Sequence, residues 1–171
     1  MGGRLAIPSR SSSTLPAGKR IARRERARVA LRWLLAAFYL TAGVFHLLRP
    51  QPFVSVTPEW VPRPETVILL TGLAELAAVP ALLQPWSRAL RRAAGIGLAL
   101  YAVCVYPANV NHMLLDLARA DGGLGLGFHL PRLLAQPLLV WLALWVGEVA
   151  EWPFRRVSAP PAPLATTKQS E

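Results

Sequence analysis

The sequence predicts an all-α membrane protein, a bundle of four transmembrane helices with both termini in the cytoplasm. Of its 171 residues 53% are hydrophobic and only 16% are charged, whereas soluble domains contain roughly 25% charged residues. The apolar residues form four blocks, each close to the ~20 residues that a helix needs to cross a lipid bilayer. The blocks have no polar stripe of the kind found on helices of soluble bundles. They cover about residues 29–48, 67–83, 93–110 and 130–149.

The distribution of basic residues predicts the orientation of the bundle. Fifteen of the 19 Lys and Arg residues lie before or at the first block, between the second and third, or after the fourth. The other four lie on the opposite side, at Arg49, Arg63, Arg119 and Arg132. The positive-inside rule therefore predicts a cytoplasmic-membrane protein with both termini inside. The basic stretch KRIARRERAR lies next to the first apolar block and is expected to bind anionic lipids. The formal net charge of +10 therefore does not require nucleic-acid binding.

The transmembrane domain is predicted to span residues 29–149, between two disordered cytoplasmic tails. Residues 1–28 are basic and show no cleavable signal peptide, because the first apolar run starts near residue 29. Residues 150–171 are rich in proline and polar residues, a composition typical of disorder. The single cysteine, Cys104, excludes an internal disulfide or a C-x-x-C redox pair.

The first helix, LRWLLAAFYLTAGVFHLL, has one face that combines small and polar residues. Tyr39, Gly43 and His46 share this face, because they stand at i, i+4 and i+7. The loop RPQPFVSVTPEWVPRPE follows, and its five prolines rule out a continuous helix. Its apolar residues, Trp60 among them, make it amphipathic enough to lie over the outer end of the bundle.

The second helix contains a carboxyl group, Glu75, in the middle of the apolar stretch LLTGLAELAAVPALL. A glutamate inside the membrane is expensive, so it should face the bundle and have a partner. Arg132 and His46 are the two candidates, and the sequence does not choose between them. The alternative is that Glu75 only fixes helix packing, because buried ionic groups need not take part in chemistry.

The third and fourth helices add polar groups on the same side of the membrane. Pro107 removes a backbone hydrogen bond and should bend the third helix in its outer half. Arg132 and Gln136 stand at i and i+4 at the start of the fourth helix. With the amino terminus inside, these groups fall in the outer half of the bundle. We therefore predict a polar layer there, which either binds a ligand or holds the helices together, made of His46, Glu75, Asn109, Arg132 and Gln136.

Haem or metal binding by His46 and His112 is a weaker alternative. Both histidines lie near outer helix ends, where hydrogen bonds to loop carbonyls are the simpler role. No zinc spacing, phosphate loop or nucleophile elbow is present. The sequence predicts no metal site, and it leaves open whether the protein is an enzyme.

Four segments resemble, in this order, the DoxX family of small four-helix membrane proteins: FYLTAGVFHLLRPQPFVSVTPEWVPRPE, LTGLAELAAVPALL, YPANVNHM and RLLAQPLLVW. The shared pattern is a His closing helix one, G-x-x-E in helix two, aromatic-P-A-N in helix three and R-x-x-x-Q opening helix four. Leu134 stands where the family usually has proline. The resemblance covers about residues 31–145. This resemblance implies the fold more strongly than it implies any one reaction, because the functions of the relatives differ. Some relatives are named for thiosulfate:quinone oxidoreduction. Others are associated with redox complexes or with maturation of other proteins.

Three functions are compatible with these features. The first is a redox-associated subunit that binds a quinone or a similar lipophilic ligand. Arg132, Gln136 or Asn109 would donate hydrogen bonds to a carbonyl oxygen, and Glu75 or His46 would move protons. The second is an accessory or assembly protein whose outer loop recognises a membrane or redox protein partner. The third is a small proton-coupled transporter, which the strong charge asymmetry disfavours.

Overall fold

The structure is a computed structural model that describes residues 17–152, and within this range the chain is entirely helical, without strands. The predictions for the chain before residue 17 and after residue 152 lie outside the described residues. The elements are α1 (Ala17–Leu48), α2 (Gln51–Val54), α3 (Pro64–Leu83), α4 (Arg88–Cys104), α5 (Tyr106–Leu117) and α6 (Leu126–Val146).

Four helical segments of the described chain are long and apolar enough to cross a membrane. They are Gly18–Leu48, Pro64–Leu83, Arg88–Leu117 and Leu126–Val146. The third combines α4 and α5. The predicted all-α membrane protein with four spanning helices is thus confirmed.

The outer surface of the bundle is apolar on every spanning helix. Phe38 of α1 remains 51% exposed and Leu70 of α3 remains 58% exposed. Leu100 of α4 and Leu138 of α6 are exposed to a similar degree. A continuous apolar surface of this kind is stable against lipid tails and would drive aggregation in water.

Helix α1 begins at Ala17 and so contains much of the basic segment that the sequence analysis places in a disordered tail. That prediction is wrong for residues 17–28. The segment is rich in Ala and Arg, which favour helix, and contains no proline. Ion pairs also anchor it to the end of the chain beyond α6, because Arg24 and Arg28 both pair with Glu151.

The third spanning helix is broken at Val105, between α4 and α5. Pro107 has no backbone N–H, so it cannot continue the hydrogen bonds of α4. Gln136 of α6 donates its Nε2–H to the carbonyl oxygen of Ala102 at 2.9 Å, just before the break. The predicted loss of a backbone hydrogen bond at Pro107 accounts for this break, and a side chain from the neighbouring helix contacts the backbone there.

Helices α1 and α3 approach closely through a pair of glycines. A Cβ atom on Gly72 would lie 2.9 Å from the Cβ atom of His46 and 3.1 Å from the carbonyl oxygen of Gly43. Small residues allow such backbone contacts between helices in membranes. His46 and Glu75 each stand three residues after one of these glycines, so the contact brings them face to face.

The two ends of the bundle differ in chemistry. The end that holds the first half of α1, the α3–α4 turn and the residues after α6 is called the basic end here. Its centre is Glu148, whose Oε1 accepts from Arg91 at 2.8 Å and from Arg32 at 3.0 Å. The apolar core lies next to this network and includes Leu35, Tyr39, Leu82, Leu98, Ala143, Trp145 and Val146. The opposite end, covered by residues 49–63, is called the cavity end.

Candidate functional site: a cavity with two polar groups

A cavity of about 530 Å³ lies at the cavity end, among all four spanning helices and the loop of residues 49–63. Its volume falls within the roughly 300–1,000 Å³ of small-molecule sites. Phe53, Val56 and Trp60 of the loop form one wall, as the amphipathic character of this loop predicted. Every member of the predicted polar layer lines the cavity: His46, Glu75, Asn109, Arg132 and Gln136.

The first polar group of the cavity is the pair of His46 and Glu75. The Nδ1 atom of His46 lies 2.6 Å from Oε2 of Glu75, and both side chains are buried. One proton is held between an imidazole and a carboxyl group at this distance. Of the two partners that the sequence left open for Glu75, the structure selects His46.

Aromatic rings enclose this pair. The ring of Phe53 from the loop lies 4.0 Å from the imidazole of His46, measured between ring centroids. Tyr101 of α4 interacts with the Glu75 carboxyl group, and its ring packs edge-on against Tyr39 at 6.0 Å. The carboxyl group is therefore only 2% exposed and has polar neighbours on two sides.

The second polar group is centred on Arg132. Its Nη2 donates to Oδ1 of Asn109 at 2.6 Å, and its Nη1 donates to Nδ1 of His112 at 2.6 Å. Because an arginine only donates, Nδ1 of His112 must accept, and this ring is neutral. Both partners are uncharged, so no carboxylate of the described residues neutralises Arg132 through these contacts. A positive charge thus faces an apolar cavity.

Gln136 lines the cavity and donates one of its two Nε2–H groups to the Ala102 carbonyl oxygen, which leaves the second N–H as a donor. The two histidines do not make the predicted hydrogen bonds to loop carbonyls, because Nδ1 of His46 pairs with Glu75 and Nδ1 of His112 with Arg132. The weaker haem alternative stays a prediction.

The part of the chain that forms the cavity matches one family model, over residues 35–147. The model describes a domain of unknown function, DUF8561. The chain belongs to the DUF8561 family. No curated protein and no solved structure matches the chain.

All members of the polar layer lie within the DUF8561 region, and so do two groups that the sequence analysis missed. Tyr101 contacts Glu75, and the sequence pattern gave no sign of this contact. Asp116 and His129 form a buried pair, with Oδ2 and Nε2 2.9 Å apart. The spacing of His112 and Asp116, four residues apart on α5, was the available signal for this second group. Glu148 lies one residue beyond the DUF8561 region.

Proposed function

We propose that this DUF8561 protein binds a lipophilic ligand with a carbonyl oxygen, a quinone being the model compound, and serves as a redox-associated membrane subunit. One observation carries the proposal. An apolar and aromatic cavity contains a guanidinium that no carboxylate of residues 17–152 neutralises, together with a buried imidazole–carboxyl pair. Apolar walls with a few convergent polar groups are typical of sites for small lipophilic molecules.

Arg132 would bind the ligand oxygen. Its contacts with Asn109 and His112 fix the guanidinium in place, so little conformational entropy is lost when the ligand arrives. A charged donor in an environment of low dielectric forms a stronger hydrogen bond than a neutral donor in water. It also stabilises negative charge that develops on a quinone oxygen during reduction.

His46 and Glu75 would exchange protons with the ligand. Reduction of a quinone to a quinol takes up electrons and protons, and the electrons would come from a redox partner protein. A hydrogen-bonded imidazole–carboxyl pair can hold one proton and pass it to an oxygen within hydrogen-bond reach. Its position on the cavity wall gives it direct access to the ligand.

The proposal places the protein in the cytoplasmic membrane, with the basic end inside. The asymmetry of 15 against four basic residues supports this orientation. The extended helix α1 adds to it, because the basic residues of its first turns lie where anionic lipid head groups would contact them. The ligand site then lies in the half of the bundle nearer the outer surface.

Kinship with the DoxX family is also part of the proposal. The residues that carry the resemblance are His46, Glu75, Asn109, Arg132 and Gln136, and all of them line one cavity. A shared ligand site would explain why separate segments of the chain resemble the same family. The departure at Leu134 lies on an exposed face of α6 and leaves the Arg132 contacts intact.

A second function, that of an assembly or accessory protein, rests on the loop of residues 49–63. Trp60 is 73% exposed although its neighbours pack over the cavity. Asn111 of α5 holds the loop in place by donating to the Val56 carbonyl oxygen at 3.0 Å. A fixed loop with an exposed Trp is typical of a surface that contacts another protein. The redox partner itself could bind there.

The test uses protein purified in mild detergent, with the wild type compared against Arg132→Gln and Glu75→Gln. Lipophilic molecules extracted from each sample are identified by mass spectrometry, and binding of a short-chain benzoquinone is measured by equilibrium dialysis. We expect the wild type to bind it saturably and Arg132→Gln to bind it roughly tenfold more weakly or worse, a loss of about 1.4 kcal/mol.

Arg119→Gln is the matched control, because Arg119 is an exposed arginine that pairs with Asp121 outside the cavity. It should bind the quinone as the wild type does. If the wild type does not bind the quinone and no stoichiometric lipophilic molecule is extracted, the ligand-site proposal fails. Recovery of a partner protein that depends on Trp60 would then support the assembly function.

A further inference from the structure

A cluster of metal-ligand types lies beside the cavity, and two of its three residues take no part in the proposed quinone binding. It consists of His112 and Asp116 on α5 and His129 on α6. One ligand atom from each residue lies within 4.8 Å of the other two. The cluster contains two of the three histidines of the chain. Asp116 and His129 are buried and His112 is half-buried.

We propose that His112, Asp116 and His129 form a binding site for a divalent transition metal such as Zn²⁺, which is linked to the quinone site only through the contact of His112 with Arg132. Two imidazoles and one carboxylate are a ligand set that suits zinc and its neighbours in the first transition row. Residues at i and i+4 of a helix lie on one face, so His112 and Asp116 can bind the same ion. His129 completes the site from α6.

The distances are compatible with a metal after small shifts. Zinc bonds of roughly 2.0–2.2 Å place tetrahedral ligand atoms about 3.4 Å apart. Oδ2 of Asp116 and Nε2 of His129 lie 2.9 Å apart, so this pair has to open slightly to admit an ion between the two atoms. The rings of His112 and His129 are 4.9 Å apart between centroids and nearly perpendicular. The His112 side chain has to move toward the other two.

A second layer of contacts orients the carboxylate. The backbone N–H of Leu124 donates to Oδ2 of Asp116 at 2.9 Å. Gly123 lies directly against the same carboxylate, where any Cβ atom would collide with it, and its φ of +53° also favours glycine. The loop between α5 and α6 is thus shaped around Asp116. Metal ligands in proteins are usually held by outer contacts of this kind.

His129 is fully buried, and one of its two ring nitrogens has no partner within residues 17–152. It is 0% exposed, and its Nδ1 has no hydrogen-bond partner among the described residues. A buried polar atom without a partner costs free energy, which a water molecule at Nδ1 would recover. Nε2, the nitrogen that faces Asp116, is the one placed to bind an ion that the carboxylate also binds.

Arg132 restricts which ions can bind. Its guanidinium donates to His112 Nδ1, so a cation at His112 competes with Arg132 and is repelled by its charge. Only an ion with high affinity for imidazole overcomes this competition. Zn²⁺ belongs to that class, whereas Mg²⁺ prefers oxygen ligands and water. The fourth zinc ligand would be water from the half-exposed side of His112.

The experiment measures zinc binding to detergent-purified protein from which any polyhistidine tag has been removed. Bound metal is stripped with a chelator, and Zn²⁺ and Mg²⁺ are then titrated by calorimetry and retained metal is counted after dialysis. We expect one Zn²⁺ per chain, no measurable Mg²⁺, and a melting temperature that rises with Zn²⁺. Asp116→Asn and His129→Gln should each weaken zinc binding by roughly 100-fold or more, since even loss of an outer contact costs 10–100-fold.

His112→Gln keeps the buried Asp116–His129 pair, so it tests the site even where the other variants fail to fold. It should lose zinc binding to the same extent while keeping its helical circular dichroism. His46→Gln is the control with one histidine removed outside the cluster, and it should retain one Zn²⁺ per chain. A wild type that retains no stoichiometric zinc would overturn the proposal. Equal binding by His112→Gln, His46→Gln and the wild type would overturn it as well.

Discussion

Nδ1 of His46 and Oε2 of Glu75 lie 2.6 Å apart, although 29 residues separate them in the chain. The contact depends on the glycines that precede each residue, because Gly43 and Gly72 bring the backbones of α1 and α3 together. The glutamate therefore has its partner inside the membrane-spanning part of the bundle. Both members of the pair also line the cavity, so a substitution at either one changes the helix contact and the cavity wall together.

The first prediction concerns the coupling between these residues. His46→Gln and Glu75→Gln should each lower the free energy of unfolding by roughly 2 kcal/mol, because each leaves the other partner buried without its hydrogen bond. The double variant should lose less than the sum, with a coupling energy of about 1–3 kcal/mol. Unfolding in a denaturing detergent gives the free energy of unfolding of the wild type, the two single variants and the double variant. Additive losses within about 0.5 kcal/mol would show that the pair contributes no mutual stabilisation.

The second prediction concerns the packing of α1 on α3. Gly72→Ala adds a Cβ atom 2.9 Å from the Cβ atom of His46 and 3.1 Å from the Gly43 carbonyl oxygen. Neither can move without shifting α1, so the variant should lose about 1–3 kcal/mol of stability. Quinone binding should weaken with it, because the shift separates His46 from Glu75. Thermal unfolding and equilibrium dialysis measure the two effects.

Gly97→Ala is the matched control for Gly72→Ala. Gly97 lies inside α4, and a Cβ atom there would meet nothing within 4 Å. Alanine favours helix over glycine by roughly 0.5–1 kcal/mol, so this variant should be as stable as the wild type or slightly more stable. Equal losses in both variants would contradict a specific contact between α1 and α3.

The spanning helices and the members of the polar layer could be predicted because each depends on position along the chain. The positions of the apolar runs determine the four candidate membrane-spanning helices. Counting residues from the helix ends gives the depth of a side chain, which is enough to group Glu75 with Asn109 and Arg132. Pro107 predicts the helix break because its ring removes the backbone N–H, whatever the rest of the fold is. These features need no knowledge of how the helices are rotated.

Partner choice could not be predicted, because it depends on rotation and approach of whole helices. The sequence left Arg132 and His46 open as partners of Glu75, and α5 supplies Asn109 and His112 to Arg132 instead. The Asp116–His129 pair forms only because the loop turns back at Gly123. The helical start of α1 was missed because its ion pairs reach Glu151, at the far end of the described chain.

The third prediction concerns the pH dependence of stability, through Glu148. Burial alone would raise the pKa of this carboxyl, but Arg91 and the charge of Arg32 hold the pKa below its ordinary value of 4.5. A carboxyl whose pKa is lower in the folded state stabilises the fold above its unfolded pKa and loses that contribution as pH falls through the folded value. The wild type should therefore lose stability as the pH drops below 4.5.

Glu148→Gln should be less stable than the wild type at neutral pH by roughly 2 kcal/mol, because Arg91 and Arg32 lose a charged acceptor. Its disadvantage should shrink in acid, where the wild-type carboxyl is protonated as well. Melting temperatures across this pH range compare the two proteins. Glu59→Gln, in the exposed loop of the cavity end, is the control and should follow the wild type throughout. A constant gap between Glu148→Gln and the wild type would contradict the assignment.

The last prediction concerns the orientation in the membrane. In a Cys104→Ala background the chain has no cysteine, so single cysteines can be placed at either end. Ser55→Cys puts one in the exposed loop over the cavity, and Trp86→Cys puts one in the exposed turn of the basic end. A membrane-impermeant maleimide should label Ser55→Cys on intact cells and Trp86→Cys only after permeabilisation.

Neither substitution alters the number of basic residues, so the charge asymmetry that is expected to set the orientation stays as it is. The reverse labelling pattern would place the cavity end in the cytoplasm, and the ligand and its protons would then be reached from that side. Equal labelling of both variants on intact cells would indicate insertion in both orientations. That result would contradict the proposed orientation and favour the small transporter that the charge asymmetry argues against.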